Sequence, residues 1–249
     1  MKNVFEEAYN RNTGEIISLS KIKSLFESNA ERYYNEIQPY LYCPECEEAH
    51  LIYVNRFPSA YLKAEHVNEH AYNCPMKYEP LSNETLHKKS LDMSKEGTEK
   101  INNKLTNLLN QIYIQKEISQ NINHNFFLVN TEVKSKADKK LTTAYKRIPR
   151  KNINLPFNSE DDGAYKMYYG EVYIVQKENA NNRLRLQLYN KDKKKLCYIS
   201  SSEAVKSKFK GLYPYLNENE LVKIAVFGEY NKEYNKISIK HSMHIKIIK

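Results

Sequence analysis

Three cysteines and a histidine in this chain have the spacing of metal ligands. Cys43 and Cys46 are separated by two residues, and His70 and Cys74 are separated by three. A thiol pair of the first kind binds one ion from a tight turn, and a second pair completes a tetrahedron around it. The intervening residues, 47–69, are enough for a β-hairpin that returns the chain to the first pair. We therefore predict a closed structural zinc site made of Cys43, Cys46, His70 and Cys74.

Two other kinds of site compete for the same residues. The Cys-x-x-Cys pair also fits a redox motif, with Cys74 unrelated to it. His66, Glu69 and His70 fit the His-x-x-Glu-His pattern of inverted zinc peptidases, which requires one long helix and no nearby thiols. The zinc site is preferred because it accounts for the histidine and the three thiols together.

A metal-dependent nuclease is a further alternative. Glu132-Val133-Lys134 follows a strand-like run at 126–129 and resembles the Glu-x-Lys end of such enzymes, but its acidic partner would have to be the distant Asp92. The sequence contains no phosphate-binding glycine-rich loop and no nucleophile elbow. We predict no catalytic residues, and hence a protein that is not an enzyme.

The elements that would position the metal ligands are short. A turn at Asn12-Thr13-Gly14 favours a hairpin around it, and either Ser18 or Ser20 can cap the helix that follows. The predicted elements are a hairpin with strands at 4–9 and 15–17, helices beginning near 18 and at 30–37, and a second hairpin with strands at 50–54 and 60–62. The Cys43–Cys46 turn, the hairpin that follows it and the second ligand pair together predict a zinc-ribbon-like domain over residues 1–80.

This pattern has a counterpart in a known family. The region from Tyr9 to Ile17, followed by Tyr42-Cys43-Pro44-Glu45-Cys46, a His-containing segment and a final Cys, resembles the N-terminal zinc-finger region of competence-protein CoiA-like proteins. The resemblance covers residues 4–76 and implies nucleic-acid work in bacteria. It implies metal roles for Cys43, Cys46, Cys74 and one of His66 or His70. The histidines here are four apart rather than the family's three, and the nuclease domain with which that family often continues is replaced by a different pattern.

Charge is distributed unevenly along the 249 residues. Residues 1–133 carry 14 Lys and Arg against 18 Asp and Glu, whereas residues 134–249 carry 25 against 12. A basic C-terminal part suggests a polyanionic partner, although a solvated lysine-rich surface is the simpler alternative. The chain has 21 tyrosines and no tryptophan, and tyrosine suits stacking on bases as well as core packing.

The C-terminal part, 164–249, has the pattern of a small β-barrel. Strand-like runs at 166–176, 183–189 and 195–200 precede a helix beginning at Ser202, and two further runs follow. Three strands, a helix and two strands is the order of an OB-fold. In the second run three leucines alternate with Arg183, Arg185 and Gln187, as expected for a strand with one buried face.

The middle of the chain is predicted as a helical connector, 81–133, and a basic linker, 134–163. Ile101, Leu105, Leu108 and Ile112 form one apolar stripe of a helix over 94–116. This stripe either packs on the zinc domain, which we favour, or pairs with a copy of itself. A protein partner docked through 98–116 would fit an adaptor of a bacterial, phage or mobile-element complex, which is the main alternative function.

Basic and aromatic residues of the linker and barrel form the predicted nucleic-acid surface. Cations would meet phosphates and tyrosines would stack on bases, which favours single-stranded DNA or RNA. The residues are Lys146, Arg147, Arg150, Lys151, Tyr169, Tyr173, Arg183, Arg185, Lys193, Lys194, Lys195, Tyr198 and Lys240.

The predicted whole is an α+β protein with a zinc-ribbon-like domain, a helical connector and an OB-like β-barrel. No stretch approaches 18 consecutive apolar residues, and residues 1–8 lack the apolar run of a secretion signal. Three of the four cysteines surround the predicted metal site, which fits a reducing compartment. We therefore expect a soluble, cytoplasmic protein without a membrane partner.

Overall fold

A computed structural model describes the chain in eight segments, which form two compact units. The described residues are 5–56, 60–66, 69–72, 74–110, 126–134, 139–178, 184–201 and 217–249. The first unit consists of Met1–Glu79 with Phe126–Arg147, and the second of Pro80–Asn125 with Ile148–Lys249. Part of the predicted connector and all of the predicted barrel therefore share a unit, while 126–147 belongs with the N-terminal part.

The first unit is built from short hairpins and two helical segments. Its described strands and helices are β1 (Glu7–Asn10), β2 (Glu15–Ser18), α1 (Leu19–Ser28), α2 (Ala30–Arg32), β3 (Leu41–Tyr42), β4 (Leu51–Val54), β5 (Tyr61–Ala64), β6 (Phe126–Lys134) and β7 (Lys139–Arg147). The predicted hairpins β1–β2 and β4–β5 are both confirmed as antiparallel pairs. Gly14 has a φ of +70° at the end of the first turn, a conformation that glycine adopts without strain.

Helix α1 begins where the sequence indicates. Ser18 is its N-cap, with its hydroxyl accepting a hydrogen bond from the amide of Lys21, and Ile22 is fully buried. The segment after α2 continues as a π-turn at Tyr33–Ile37, so the helix expected at 30–37 is a short α-helix followed by a wider turn. Pro39 lies in the next turn, and β3 then pairs with β1 and delivers the chain to Cys43.

The second unit contains a closed five-stranded barrel. The seven described strands of this unit are β8 (Arg150–Asn152), β9 (Tyr165–Glu178), β10 (Leu184–Tyr189), β11 (Lys195–Ser201), β12 (Leu221–Asn231), β13 (Lys236–Ile239) and β14 (Ile245–Ile248), and five of them form the barrel. The ring runs β9–β10–β11–β13–β12 and closes by antiparallel pairing of β12 with β9. Strands β11 and β13 are parallel, the other four pairs of the ring are antiparallel, and β8 and β14 extend the sheet at its sides.

Alternation along each strand fills the barrel. Leu186 and Leu188 of β10 point inward, as the sequence predicts, opposite Ile199 and Cys197 of β11. From β12, Val222, Ile224 and Val226 join the same core. Closure gives every ring strand a hydrogen-bonded neighbour on both sides, so the barrel's stability rests on its own sheet and core.

Two helices pack on the outside of this barrel. They are α3 (Asn83–Leu91), capped by Ser82, and α4 (Lys95–Leu109), capped by Ser94. Helix α4 contacts β12, β14 and the 3₁₀ turn Ser242–His244. Ile101, Leu105 and Leu108 are buried on this face of α4.

This arrangement corrects the prediction that the stripe of α4 packs on the zinc domain. It packs on the barrel, because β12 carries buried residues on both faces: Ala225 and Phe227 alternate with the core positions and lie under the helix. The described part of the stripe is therefore covered within its own unit and offers no free apolar face to a protein partner. Ile112 and residues 111–116 lie outside the described residues.

The range predicted as a basic linker contains regular structure. Strand β7 pairs with β6 from Phe126↔Arg147 to Lys134↔Lys139, and β8 pairs in parallel with β9. The lysine-rich run 139–147 is a strand rather than an extended connection. The helix expected from Ser202 lies outside the described residues.

The chain is thus a mixed α+β protein with few helices and a five-stranded β-barrel in its C-terminal part. None of the helices in the described segments is both long enough and apolar enough to cross a membrane.

Candidate metal centre and barrel surface

The four residues predicted as metal ligands come together in the first unit. The ligand atoms of Cys43, Cys46, His70 and Cys74 all lie within 4.8 Å of one another. In the segments that the structure describes, this is the one group of three or more His, Cys, Asp or Glu side chains close enough to hold a metal ion. His66 is exposed and lies outside the group, whereas His70 is only 4% exposed.

Backbone hydrogen bonds shape the turn that presents Cys43 and Cys46. The amide of Cys43 donates to Ala49 O at 2.8 Å, and the amide of Glu47 donates to Cys43 O at 2.8 Å. The amide of Glu45 lies 3.4 Å from Cys43 Sγ, which it can donate to from inside the turn. Both sulfurs therefore project from one tight loop directly after β3.

The second ligand pair, His70 and Cys74, follows the hairpin β4–β5 in the chain. The amide of Cys74 donates to Ala71 O at 3.0 Å, and a 3₁₀ turn begins at Pro75. The ring of Phe5 stacks on the His70 imidazole with centroids 6.0 Å apart and fixes that wall of the site. Cys43 and Cys74 belong to the apolar core of the unit, so the centre is continuous with the core.

The interatomic distances match a tetrahedral ion. Zinc bonds of about 2.3 Å to sulfur and 2.0–2.1 Å to nitrogen imply S···S separations of about 3.8 Å and S···N separations of about 3.6 Å. Cys43 Sγ and Cys74 Sγ are 3.9 Å apart, and His70 Nδ1 lies 3.5 Å from Cys46 Sγ and 3.3 Å from Cys74 Sγ. All four cysteines of the chain are free thiols.

The thiols influence one another strongly. Burial raises the pKa of Cys43 well above its ordinary value, and the hydrogen bonds to Cys46 and Cys74 raise it further. Hydrogen bonds from Cys43 and Cys74 hold the pKa of Cys46 far below its ordinary value. The protein alone therefore favours one thiolate among neutral thiols, and three thiolates require a cation to balance their charge. The donor set is suited to a divalent metal ion.

Comparison with known proteins adds nothing to this geometry. No family model, curated protein or solved structure matches the chain. The interpretation of both units therefore depends on their own residues.

The barrel brings several of the predicted nucleic-acid residues to one outward surface. Lys193 Nζ lies 3.3 Å from the ring centroid of Tyr173, and Arg185 Cζ lies 4.9 Å from that of Tyr198. Tyr173 is on β9, Arg185 on β10 and Tyr198 on β11, so the pairs lie on three adjacent strands. We call these four residues and their outward neighbours on β9, β10, β11 and β13 the barrel surface.

The remaining predicted cations of the barrel lie at the edges of this surface. Lys193 and Lys194 are exposed in the turn between β10 and β11, which is fixed by hydrogen bonds to Asn190, and the exposed Lys195 is the first residue of β11. Lys240 follows β13 and is half-buried. Arg183 lies outside the described residues.

Two predicted binding residues are instead buried. Lys151 is 3% exposed, and its Nζ lies 3.1 Å from Asp161 Oδ2 in an ion pair that also includes Lys166. Tyr169 is 4% exposed and has the Arg150 guanidinium 5.6 Å from its ring centroid. Neither side chain is accessible to a nucleic-acid strand bound on the barrel surface. Tyr165, Met167 and Tyr169 alternate with the core position Tyr168 on β9, but all three are buried, so this half of the strand is covered on its outer face as well.

Lys146 and Arg147 belong to the first unit and already have protein partners. Lys146 Nζ lies 3.5 Å from the carboxylate of Glu79, and Arg147 Nε donates to Tyr78 O at 3.2 Å. Both side chains are half-buried, so they anchor the end of β7.

Sequence reasoning missed other members of the barrel surface. Lys177 lies directly opposite Arg185, and Tyr189 directly opposite Tyr173. Lys236 pairs in register with Tyr198, and its Nζ lies 4.7 Å from the ring centroid of Tyr234. The sequence places these residues at outward positions of the predicted strands. Only the register between the strands shows that they lie together on one surface.

Proposed function

We propose that this chain is a nucleic-acid-binding protein that prefers single strands, with a structural zinc centre in its first unit and an OB-like barrel that carries the binding surface. The observation that carries this proposal is the pairing of cations with tyrosines across adjacent strands of the barrel surface. The protein acts by binding, and the metal acts by holding the fold.

The donor set supports zinc as the ion. Three thiolates and one imidazole are soft and borderline ligands, which favour zinc over magnesium or calcium. Four protein ligands fill a tetrahedral zinc ion and leave no position for a reactive water, which is the arrangement of structural sites. Together with the hairpin between the ligand pairs, this supports a zinc-ribbon-like module, in line with the resemblance to CoiA-like zinc regions.

The strand order supports an OB-like barrel. An OB-fold has five strands arranged as a Greek-key barrel, with ligands on the surface formed around its second and third strands. In the ring described above those strands are β10 and β11, and they carry Arg185 and Tyr198. Helix α4 contacts β12 and helix α3 contacts β9, so both helices leave the surface of β10 and β11 uncovered.

The chemistry of the surface supports an anionic, unpaired polymer. Arg185 and Lys177 are like charges directly opposite each other, an arrangement that destabilises a sheet and that a bound phosphate would relieve. Tyrosine rings beside these cations offer stacking to any base, which requires bases exposed from a duplex. Phosphate contacts at the cations and stacking at the rings are thus complementary parts of one site.

A fluorescence-anisotropy panel tests the proposal. Binding is measured for single- and double-stranded DNA and RNA of equal length at two salt concentrations, with the wild-type chain, Arg185→Ala/Lys193→Ala and Tyr198→Ala. We expect single strands to bind more tightly than duplexes. The double variant should reduce the slope of log affinity against log salt by about 0.7 for each lost phosphate contact. Tyr198→Ala should cost about 1–3 kcal/mol with little change in slope.

Lys88→Ala is the control, because it removes an exposed cation from α3, which belongs to the same unit but not to the barrel surface. It should leave affinity unchanged within a small nonspecific charge effect. Equal losses for Lys88→Ala and the double variant, or no binding of any polymer by the wild-type chain, would refute the proposed surface.

A further inference from the structure

The side chain of Arg11 lies at the turn that holds Cys43 and Cys46. Arg11 follows β1, and its backbone amide donates to Tyr40 O at 2.9 Å. Because Asn10 pairs with Leu41 in the same sheet, the turn after β1 is held beside the residues that lead into Cys43. The pairing of β1 with β3 thus brings Arg11, which is distant in sequence, to the loop that carries Cys43 and Cys46.

The guanidinium of Arg11 contacts residues on both sides of the Cys-x-x-Cys loop. Its Cζ lies 3.5 Å from the ring centroid of Tyr42, the residue before Cys43. Its Nη2 donates to the carbonyl oxygen of Glu47, the residue after Cys46. One planar group therefore bridges the two ends of the loop that carries two metal ligands.

The residue that Arg11 holds has an unfavourable backbone conformation. Glu47 has a φ of +55°, in the left-handed region that residues with a side chain rarely adopt. In that conformation its amide donates to Cys43 O and closes the loop. The closed loop therefore requires stabilising contacts from outside it. The hydrogen bond from Arg11 to the Glu47 carbonyl is one such contact.

We infer that Arg11 is a positioning residue of the metal centre, which keeps Cys43 and Cys46 in the arrangement that retains the ion. This inference rests on the metal centre of the proposed function. The role needs a planar fork that can stack on Tyr42 and donate to Glu47 at the same time, which a lysine ammonium cannot do. Residues that hydrogen-bond directly to metal ligands typically contribute about 10–100-fold to metal affinity. Arg11 contacts the loop rather than a ligand, so we expect an effect at the lower end of that range.

Metal release tests the inference on the full-length chain. Zinc content is measured after purification, and transfer of zinc to an excess of a coloured chelator is then followed for the wild type, Arg11→Ala, Arg11→Lys and Ser18→Ala. We expect release about 10-fold faster for Arg11→Ala and an intermediate rate for Arg11→Lys. Ser18→Ala is the matched control, because it removes the cap of α1 and weakens the same unit without touching the Cys-x-x-Cys loop.

The possible outcomes separate the two proposals. A wild-type chain that neither contains zinc nor binds added cobalt overturns the metal centre and, with it, the role of Arg11. A zinc-loaded Arg11→Ala chain that releases the ion at the wild-type rate overturns only the role of Arg11. Equal acceleration by Ser18→Ala would also overturn it, because the effect would then be general loosening of the unit. If Arg11→Ala prevents folding, Arg11→Lys decides by the same comparison.

Discussion

The two units of this chain solve the problem of stability differently. In the first unit the strands outside the hairpin β6–β7 are two to four residues long, and two metal ligands are themselves part of the core. In the second, β9 and β12 have 14 and 11 residues, and the ring of strands closes on a core of aliphatic side chains. Short hairpins bury too little apolar surface to be stable alone, whereas a closed barrel satisfies its own edges and core.

Buried cysteines have different roles in the two units. Cys43 and Cys74 are buried where a hydrophobic residue would otherwise pack, so on the proposed function the first unit depends on the ion that these thiols bind. Cys197 is equally buried, but it stands alone in the barrel core and burial raises its pKa to about 12, so it remains a neutral thiol. One residue type is thus a candidate metal ligand in one unit and an apolar side chain in the other.

Removing the metal should produce the largest difference in stability between the two units. Chelation, or Cys46→Ser, should unfold the first unit and leave the barrel folded, because structural zinc supplies on the order of 10 kcal/mol to a small module. In a two-dimensional NMR spectrum, the dispersed signals of the first unit should collapse while those of 148–178 and 217–249 persist. Cys197→Ala is the control and should leave the zinc content unchanged. Loss of both sets of signals on chelation would show that the barrel does not stand on its own.

The helix α4 gives the next largest effect, and it sharpens the boundary between the units. Leu105 is fully buried on the face of α4 that covers the barrel, so Leu105→Ala should cost about 2–5 kcal/mol. The cost should appear in the thermal transition that survives chelation, and zinc release should not change. Asn103→Ala, on the exposed side of the same helix, is the matched control. A shift of the zinc-dependent transition instead would place α4 with the first unit.

The sequence predicts these elements better than it predicts their partners. The ligand spacing leads to Cys43, Cys46, His70 and Cys74, which the structure brings together, and the alternation of β10 correctly separates Leu186 and Leu188 from the outward Arg185. These features are local, since a turn or a strand fixes the direction of each side chain within a few residues.

Features that depend on distant contacts could not be predicted in this way. Lys151 is one of a run of basic residues, and only the fold brings its ammonium to the buried carboxylate of Asp161. The stripe of α4 indicates a buried face but not the surface that buries it, and β12 supplies that surface through alternate residues on its outer side. The contact of Arg11 with Glu47 spans 36 residues and has no local signal.

A buried histidine provides the last and smallest test, which concerns the response of the barrel unit to acid. His244 is fully buried in the 3₁₀ turn between β13 and β14, with its ring 5.5 Å from that of Phe227. Neither ring nitrogen has a hydrogen-bond partner among the described residues. Burial, and to a lesser extent the neighbouring His241, lower the pKa of His244 to about 4.

Because the folded pKa lies below the ordinary value, the unfolded chain binds this proton first as the pH falls. The free energy of unfolding should therefore decrease between about pH 6.5 and pH 4, by at most about 3 kcal/mol for this group. Urea titrations of the chelated chain at several pH values measure the slope, and His244→Leu should flatten it. His87→Ala removes an exposed imidazole from the same unit and should leave the slope intact. An unchanged slope in His244→Leu would mean that acid acts on the barrel through its carboxylates, of which Asp161, held by Lys166 and Lys151, is the most buried.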